Sequence, residues 1–316
     1  MPKFDDERIF MNTRIRITVL SNEGTVQTRN KIAQAFAQFD YVMEKYTRFD
    51  KKSELSKLNA DMGKWHTVSR ELFDLVKYVL DLADKTKGTF DPTIIDVLEA
   101  YGFTNENKFQ NLQNPGLYQE INGVMKSRPS YNEIAMDRKK LRIKLRPGQR
   151  IDLGSTGKGY AIDLAYRTLD GFPSFIINAG GDIRAKGLNT SGKPWKIALY
   201  KTQLPNQRIT NNYFLGFIDL NNASIASSGG WARKVGFFHH LVNAKTGLPE
   251  NISAQSYVIG KTAYESDAWA TILFLTGQTG LQLLEKNGLQ GLVIFENGQI
   301  FKTPGFVYYE KTKTNI

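Results

Sequence analysis

The stretch Ile151-Asp-Leu-Gly-Ser-Thr-Gly-Lys-Gly-Tyr160 predicts a strand that turns into a helix. The helical pattern continues over residues 157–169, and the runs after it are short and strand-like. Another helix, expected over residues 266–276, interrupts these later strands. Runs of strands broken by a few helices are typical of an α+β fold.

The N-terminal half is expected to hold one strand and two long helices. Residues 13–20 alternate in the manner of a strand, and apolar residues recur with a helical period over residues 30–46. A second helix is expected over residues 70–87, and Gly88 ends it. The strands expected after residue 130 are 141–145, 174–177, 195–200, 213–219, 237–242 and 256–259.

Composition is that of an ordinary globular protein, with 41% hydrophobic and 23% charged residues in a chain of 316. Residues 105–128 are rich in Asn, Gln, Lys and Gly, which indicates a surface excursion or a soft boundary between two lobes. We therefore expect a single domain over residues 1–316 with a possible lobe boundary near residues 105–130. No apolar run is long enough for a membrane span, so no stable membrane insertion is expected.

Location and macromolecular partners follow from the termini, the cysteines and the charge. The N-terminus lacks the apolar core of a secretion signal, and the chain has no cysteine for a lipid anchor or a disulfide, so we expect a cytoplasmic protein. The net charge of +11 would suit a polyanion, but 42 basic residues are interleaved with 31 acidic ones. With no nucleic-acid motif in the sequence, we expect no nucleic-acid partner.

The 151–160 stretch also has the composition of a phosphate site. An acid, three glycines and Lys158 lie where a helix begins and its first backbone N–H groups are free. It is not a Walker A loop, because Gly159 rather than Ser or Thr follows Lys158. Plain turn chemistry is the alternative explanation. Similarly, Gly180-Gly181 indicates a hairpin turn, or a place where the backbone can approach a flat ligand.

The segment Glu265-Ser-Asp-Ala-Trp-Ala-Thr271 predicts a carboxylate and a hydroxyl on one helix face. Asp267 and Thr271 lie four residues apart, and both offer the hard oxygen ligands that suit Mg²⁺. Alternatively, Ser266 caps the helix, Asp267 favours its dipole and Thr271 only packs.

Two adjacent histidines, His239 and His240, precede a turn marked by Gly247. Neighbours on an alternating strand face opposite sides, so one of the two could be catalytic while the other packs or meets solvent.

Six motifs taken in order resemble the ApbE family, the FAD:protein FMN transferases, over residues 11–277. They are Thr47-Arg-Phe-Asp-Lys-Lys-Ser-Glu-Leu-Ser-Lys-Leu-Asn59, which resembles Ser-Thr-Tyr followed by Ser-Glu-Leu-Ser-x-Leu-Asn; Gly88-Thr-Phe-Asp-Pro-Thr93; residues 152–161; Asn178-Ala-Gly-Gly-Asp-Ile-Arg184; residues 240–247, which resemble His-Ile-Ile-Asp-Pro-x-Thr-Gly; and Asp267-Ala-Trp-Ala-Thr271. Short strings arise by chance, but six in the family's order are a specific signal.

The resemblance implies a fold, a metal site and a nucleotide site. The fold would be ApbE-like, or T-fold-like, with largely antiparallel sheets and packed helices in two closely associated lobes. Mg²⁺ would be held by Asp267, Thr271 and Ser155, the last perhaps by its backbone. FAD would contact Met11, Phe49, Thr89, Phe90, Asp91, Asp152, Lys158 and Leu241. An ammonium group such as that of Lys158 suits a diphosphate.

Four departures from the family's motifs affect proton-transfer roles more than family membership. Asn12 replaces the Gly of a Met-Gly-Thr pattern, and Phe49 replaces Tyr. Asn243 stands where the family has Asp, so no carboxylate base is available there. Gly230 replaces an acid within residues 227–231.

The function that this resemblance implies is Mg²⁺-dependent transfer of FMN from FAD to a Thr or Ser hydroxyl of an acceptor flavoprotein, with release of AMP. His240 would be the base that accepts the hydroxyl proton. Two alternatives stay open at this point. Water could replace the acceptor in an FAD pyrophosphatase, or the chain could be a non-catalytic FAD-binding protein.

Overall fold

The computed structural model describes residues 1–104, 112, 114–201, 214–230, 235 and 238–310. Its strands are β1 (Lys3–Phe10), β2 (Thr13–Leu20), β3 (Trp65–Thr67), β4 (Ala135–Asp137), β5 (Arg142–Lys144), β6 (Ser174–Ala179), β7 (Asp182–Lys186), β8 (Trp195–Tyr200), β9 (Phe214–Leu220), β10 (Ala223–Gly229), β11 (Val242–Asn243), β12 (Leu248–Pro249), β13 (Ser253–Gly260), β14 (Gln290–Phe295), β15 (Ile300–Lys302) and β16 (Tyr309–Glu310). Its helices are α1 (Thr25–Tyr46), α2 (Glu54–Ala60), α3 (Arg70–Lys85), α4 (Ile95–Ala100), α5 (Leu117–Ser127), α6 (Gly157–Thr168), α7 (Ala263–Thr276) and α8 (Gln278–Lys286).

The chain forms two compact units. The first comprises residues 1–42, 156–231 and 252–316, and the second comprises residues 43–155 and 232–251. Every strand pair in the described chain is antiparallel, which confirms the α+β prediction with largely antiparallel sheets. The single-domain prediction stays a prediction. No helix in the described part of the chain is both long and apolar enough to cross a bilayer.

The first unit is built on an eight-stranded sheet in the order β1-β2-β6-β7-β10-β13-β14-β15. Alternation along β7 shows how its two faces are used. Arg184 points to α6, where it pairs with Asp163, whereas Ile183 and Ala185 join an apolar cluster with residues of β8 and β9. Helices therefore cover one face of the sheet, and the small sheet β16-β9-β8 covers the other.

Helix α7 lies deepest in this unit, packed on β10, β13 and α6. Residues on all its sides are buried, which is typical of a helix enclosed by its own domain. The polar residues among these buried positions are Ser266, Asp267 and Thr271. A buried carboxylate on such a helix needs specific partners, because transfer of a charge out of water is costly.

The second unit holds α2 to α5, the three-stranded sheet β3-β5-β4 and the β11–β12 hairpin. Leu117 and Ile121 of α5 pack with Val97 and Tyr101 in one apolar cluster. Within the expected surface excursion over residues 105–128, residues 117–127 form α5, whose Leu117 and Ile121 are buried while most of its other residues face solvent. Residues 105–111 and 113 lie outside the described residues.

Candidate active site

In the first unit, Gly159 of α6 touches Asp267 of α7. The Gly159 N–H donates to Asp267 Oδ2 at 2.9 Å. A Cβ at residue 159 would lie 2.3 Å from the Ala263 carbonyl oxygen and 2.8 Å from Asp267 Cβ, so only glycine allows this approach. One of the free N–H groups at the start of α6 is therefore bonded to a protein carboxylate.

Asp267 is 6% exposed and lies near the ion pair between Lys158 and Asp182. Burial raises the pKa of the Asp267 carboxyl, while the Lys158 ammonium and the Gly159 hydrogen bond act in the opposite direction. Lys158 Nζ forms a salt bridge with Asp182 Oδ2, and Asp182 Oδ1 accepts a hydrogen bond from the Ser227 N–H at 3.0 Å. Two buried carboxylates thus share one lysine as their nearby cation.

Ser266 does not cap α7, so that part of the capping alternative is wrong. Thr262 caps α7 by accepting from the Glu265 N–H at 3.2 Å. Ser266 lies inside the helix and bonds Ser224 Oγ at 2.6 Å. The Asp267 carboxylate stands in the second turn, where capping gives it no role.

Asp267 and Thr271 are both buried on α7, as their spacing predicts. Thr271 Oγ1 lies 3.2 Å from Ser228 Oγ of β10. Across the described residues, no three His, Asp or Glu side chains gather to form a metal site. A carboxylate with hydroxyl and backbone oxygens is a donor set that fits Mg²⁺, which binds proteins through few carboxylates and completes its shell with water and phosphate oxygens.

Met11 lies at the tip of the β1–β2 hairpin. Met11 and Asn12 have φ values of 51° and 56°, the left-handed pair that a tight two-residue hairpin turn needs. Asn tolerates this conformation, so it can replace the family's glycine at position 12. Next to this tip is the β6–β7 turn, where a Cβ on Gly180 would lie 2.3 Å from Thr13 Oγ1. The two turns are therefore in direct contact.

In the second unit, Asp91 organises the turn that Thr89 and Phe90 begin. Asp91 Oδ1 accepts hydrogen bonds from the N–H and hydroxyl of Thr93, at 2.8 and 2.7 Å. Arg128 Nη2 lies 3.0 Å from Asp91 Oδ2 and donates to the Ala244 carbonyl at 2.8 Å. The Asp91 side chain holds the turn in shape, and Thr89 and Phe90 are buried as well. Their contact with FAD stays a prediction.

Asp152 follows a segment that is extended but belongs to no sheet, so the predicted strand before α6 is wrong. Its backbone hydrogen bonds go elsewhere: the Ile151 N–H donates to Asn59 Oδ1 and the Asp152 N–H to the Pro92 carbonyl, both at 2.8 Å. The second of these bonds joins Asp152 to the end of the turn described above. Arg48 Nε donates to Asp152 Oδ2 at 3.0 Å. Ser155 lies three residues on, half-buried, and as a metal ligand it stays a prediction.

The two histidines differ in environment, but not because of strand alternation. No strand forms over residues 239–241, so that part of the expected 237–242 strand is wrong; residue 237 lies outside the described residues. His239 is buried, its Nδ1 accepting from the Leu241 N–H at 3.2 Å and its Nε2 donating to the Glu250 carbonyl at 2.8 Å. His240 is half-buried and stacks on Phe103, with ring centroids 6.0 Å apart.

Asn243, at the departure from the family's Asp, has a structural role. Its side-chain oxygen accepts from the Lys245 N–H at 3.1 Å, and its carbonyl accepts from Gly247 N–H at 2.9 Å. The Ala244 N–H donates to the Thr89 carbonyl at 3.1 Å. The loop after His240 is therefore fixed to the turn at residues 89–91, and Leu241 is buried beside it.

Each unit brings together part of the predicted site. The first gathers Lys158, Asp267, Thr271 and, at its hairpin tips, Met11. The second gathers Phe49, Thr89, Phe90, Asp91, Asp152, His240 and Leu241 in one connected region. Four contributors do not follow from the sequence patterns, namely Arg48, Arg128, Asp182 and Ser228. Asp182 is the one with a signal, since it ends the Asn-x-Gly-Gly-Asp motif beside two glycines.

Comparison with known proteins agrees with this arrangement. The model of the ApbE family matches residues 11–293. The FAD:protein FMN transferase of Salmonella typhimurium is 25% identical over 92% of this chain and 83% of its own length. That of Escherichia coli K12 is 27% identical over the same shares.

Solved structures match the fold. The ApbE protein of Thermotoga maritima aligns with a TM-score of 0.84 and 26% identity, covering 96% of this chain and 97% of its own. The flavin transferase ApbE of Vibrio cholerae gives 0.83 and 22% identity, covering 96% and 98%. The expectation of an ApbE-like fold is thereby confirmed.

Proposed function

The chain belongs to the ApbE family, and we propose from that premise that it is an enzyme that transfers FMN from FAD to a hydroxyl group of an acceptor flavoprotein. The relatives named FAD:protein FMN transferase support this reaction. The main observation in this chain that supports the reaction is the buried Asp267 carboxylate. It lies near Lys158 and on the same face of α7 as Thr271. Buried carboxylates whose pKa is shifted by burial and by a charged neighbour are common at functional sites.

The reaction forms one P–O bond and breaks another. The oxygen of an acceptor Thr or Ser hydroxyl attacks the FAD phosphorus that carries riboflavin, and the bond from that phosphorus to the bridging oxygen breaks. AMP leaves with the electron pair, and the acceptor keeps FMN through a phosphoester. By resemblance to the family's His-containing motif, His240 is the base that accepts the hydroxyl proton; its half-buried ring stacks on Phe103.

The other residues bind and orient the nucleotide. Lys158 brings an ammonium group to the diphosphate, exchanging part of its interaction with Asp182. Asp267 and Thr271 would hold Mg²⁺, with Ser155 as the third contributor by resemblance. When bound, the ion supplies positive charge to the diphosphate oxygens. Phe49 offers an exposed aromatic ring to the flat rings of FAD, and the turn at residues 89–91 would contact the nucleotide by resemblance.

Intact-mass analysis of an acceptor tests this proposal. Candidate flavoproteins from the same organism are incubated with FAD, Mg²⁺ and the enzyme, and AMP is measured in parallel. We expect the acceptor to gain the mass of FMN less one water, with one AMP formed per acceptor modified. AMP without a mass gain would instead identify an FAD pyrophosphatase. Retained FAD with neither product would identify a binding protein. A cytoplasmic acceptor stays a prediction.

A further inference from the structure

Arg48 is a buried arginine at the centre of the second unit's charged groups. Its side chain is 5% exposed. The guanidinium donates in three directions: Nε to Asp152 Oδ2 at 3.0 Å, Nη1 to Glu99 Oε1 at 3.0 Å, and Nη2 to the Phe103 carbonyl at 3.2 Å. A buried arginine whose three nitrogens each donate a hydrogen bond is held in position.

The same guanidinium lies under the ring of Phe49, its Cζ 4.2 Å from the ring centroid. Phe49 is 44% exposed, so the ring is supported on the side of Arg48 and open elsewhere. Phenylalanine has no polar tip with which to anchor itself, so this cation–π contact orients the ring.

We propose that Arg48 is a positioning residue for FAD binding, which holds the Asp152 carboxylate and the Phe49 ring in the geometry that receives the nucleotide. This inference rests on the proposed function. Asp152 has one further constraint, since its Oδ1 accepts from the Gly154 N–H at 2.6 Å. Arg48 fixes the other oxygen, and the carboxylate is then held from both ends. The third bond of Arg48 goes to the Phe103 backbone carbonyl.

Arg150 provides a matched control from the same charged network. It donates to both oxygens of Glu99, from Nη2 to Oε2 at 2.7 Å and from Nη1 to Oε1, which Arg48 also uses, at 3.3 Å. Its Nε donates to Asp96 Oδ1 at 3.0 Å. Replacing Arg150 therefore breaks ion pairs of the same network without removing the group that holds Asp152 and Phe49. A merely structural role for Arg48 would lower Tm, as the loss of Arg150 should, and would leave FAD affinity near the wild-type value.

The experiment compares Arg48→Lys, Arg48→Met, Arg150→Lys and Arg150→Met. The FAD dissociation constant is measured by flavin fluorescence without acceptor, together with the KM for FAD, kcat and Tm. We expect both Arg48 variants to raise the dissociation constant and the KM by about tenfold or more, because one lysine ammonium cannot donate in three directions or present a planar face. Since Arg48 touches no reacting atom, kcat at saturating FAD should change by less than about threefold. The Arg150 variants should lower Tm but leave FAD affinity within about threefold of wild type.

A double variant separates direct from indirect action. If Arg48 acts largely through Asp152, adding Arg48→Met to Asp152→Asn should raise the dissociation constant by much less than Arg48→Met does alone. Equal loss of FAD affinity in the Arg48 and Arg150 variants would overturn the inference, as would wild-type affinity in Arg48→Lys and Arg48→Met. If the wild type bound FAD without transferring FMN, the proposed function would fail while the comparison still decided the role of Arg48. If the wild type bound no FAD, both would be overturned.

Discussion

The backbone N–H of Gly159 donates to the carboxylate of Asp267 at a point where α6 and α7 pack with no room for a side chain. This contact ties the start of one helix to the buried acid of another. Packing and chemistry meet at one pair of residues, so changes there should affect stability and activity together.

Gly159→Ala should separate α6 from α7. The new Cβ would overlap the Ala263 carbonyl oxygen, and overpacking of this kind costs about 1–3 kcal/mol of unfolding free energy. The urea concentration at the unfolding midpoint and the FMN transfer rate should both fall. Gly157→Ala is the control, because a Cβ there meets nothing within 4 Å. Equal stability and activity in the two variants would show that the close approach is unimportant.

Asp267→Asn should make the stability of the fold independent of the Mg²⁺ concentration. Burial raises the pKa of Asp267, so the ionised carboxylate destabilises the folded state at neutral pH, a cost that disappears below the carboxyl's pKa in the unfolded chain. Without Mg²⁺ the variant should therefore match or exceed the wild-type Tm. Mg²⁺ at a hundred times its Kd stabilises a protein by about 2.7 kcal/mol, and this gain should appear in the wild type only. Asp170→Asn, at an exposed surface acid, should respond as the wild type does.

Substitutions of the two adjacent histidines should have different effects, one on the transfer rate and the other on stability. His240→Gln should keep FAD affinity and Tm but lower the single-turnover transfer rate by about a hundredfold, the usual contribution of a general base. His239→Gln should instead lower stability by about 1–3 kcal/mol, because it breaks the bonds to Leu241 and Glu250. A wild-type transfer rate in His240→Gln would exclude it as the base.

Asp5 should contribute stability that depends on pH. Hydrogen bonds from Arg16, and a lesser one from Thr18, hold the pKa of Asp5 well below its usual range. A depressed carboxyl pKa stabilises the fold above the unfolded value of about 3.9, and that contribution is lost as pH falls through the folded value. Asp5→Asn should therefore lower the free energy of unfolding at pH 7 by less than about 1 kcal/mol, because the pair is partly exposed, and the difference should shrink below about pH 4. Asp6→Asn, which removes a bond to Arg8 on the same strand, is the control for the loss of a surface acid from β1.

Elements with a clean period follow from the sequence. The strand over residues 13–20 is confirmed as β2, and α3 begins at Arg70 as its apolar period indicates. Gly88, with φ of 79°, stands just after that helix as expected. Helix α7 begins at Ala263, three residues before the predicted start at residue 266. Buried residues on every side of this helix leave no polar face to mark where it begins.

Segments whose backbone bonds to side chains do not follow from periodicity. The Leu241 N–H is taken by His239, and the Ile151 N–H by Asn59, so neither segment joins a sheet despite its apolar residues. Contacts between the site residues cannot be predicted from the sequence for another reason. Arg48, Glu99 and Asp152 are far apart in the chain, and no local pattern indicates that they meet. The Asp267–Thr271 pair is the opposite case, because helix geometry alone puts the two on one face.

The pairing of β2 with β6 imposes an order on biosynthesis. Ile17 of β2 pairs with Ile177, and the whole second unit's first segment is translated between them. Until residue 179 has left the ribosome, the inner edge of β2 has no partner, and Ile15, Ile17 and Val19 have no completed core to enter. A nascent chain halted before that point would present an open apolar strand, the kind of surface that chaperones bind. Closing this sheet late, across a long loop, makes it a slow step in folding.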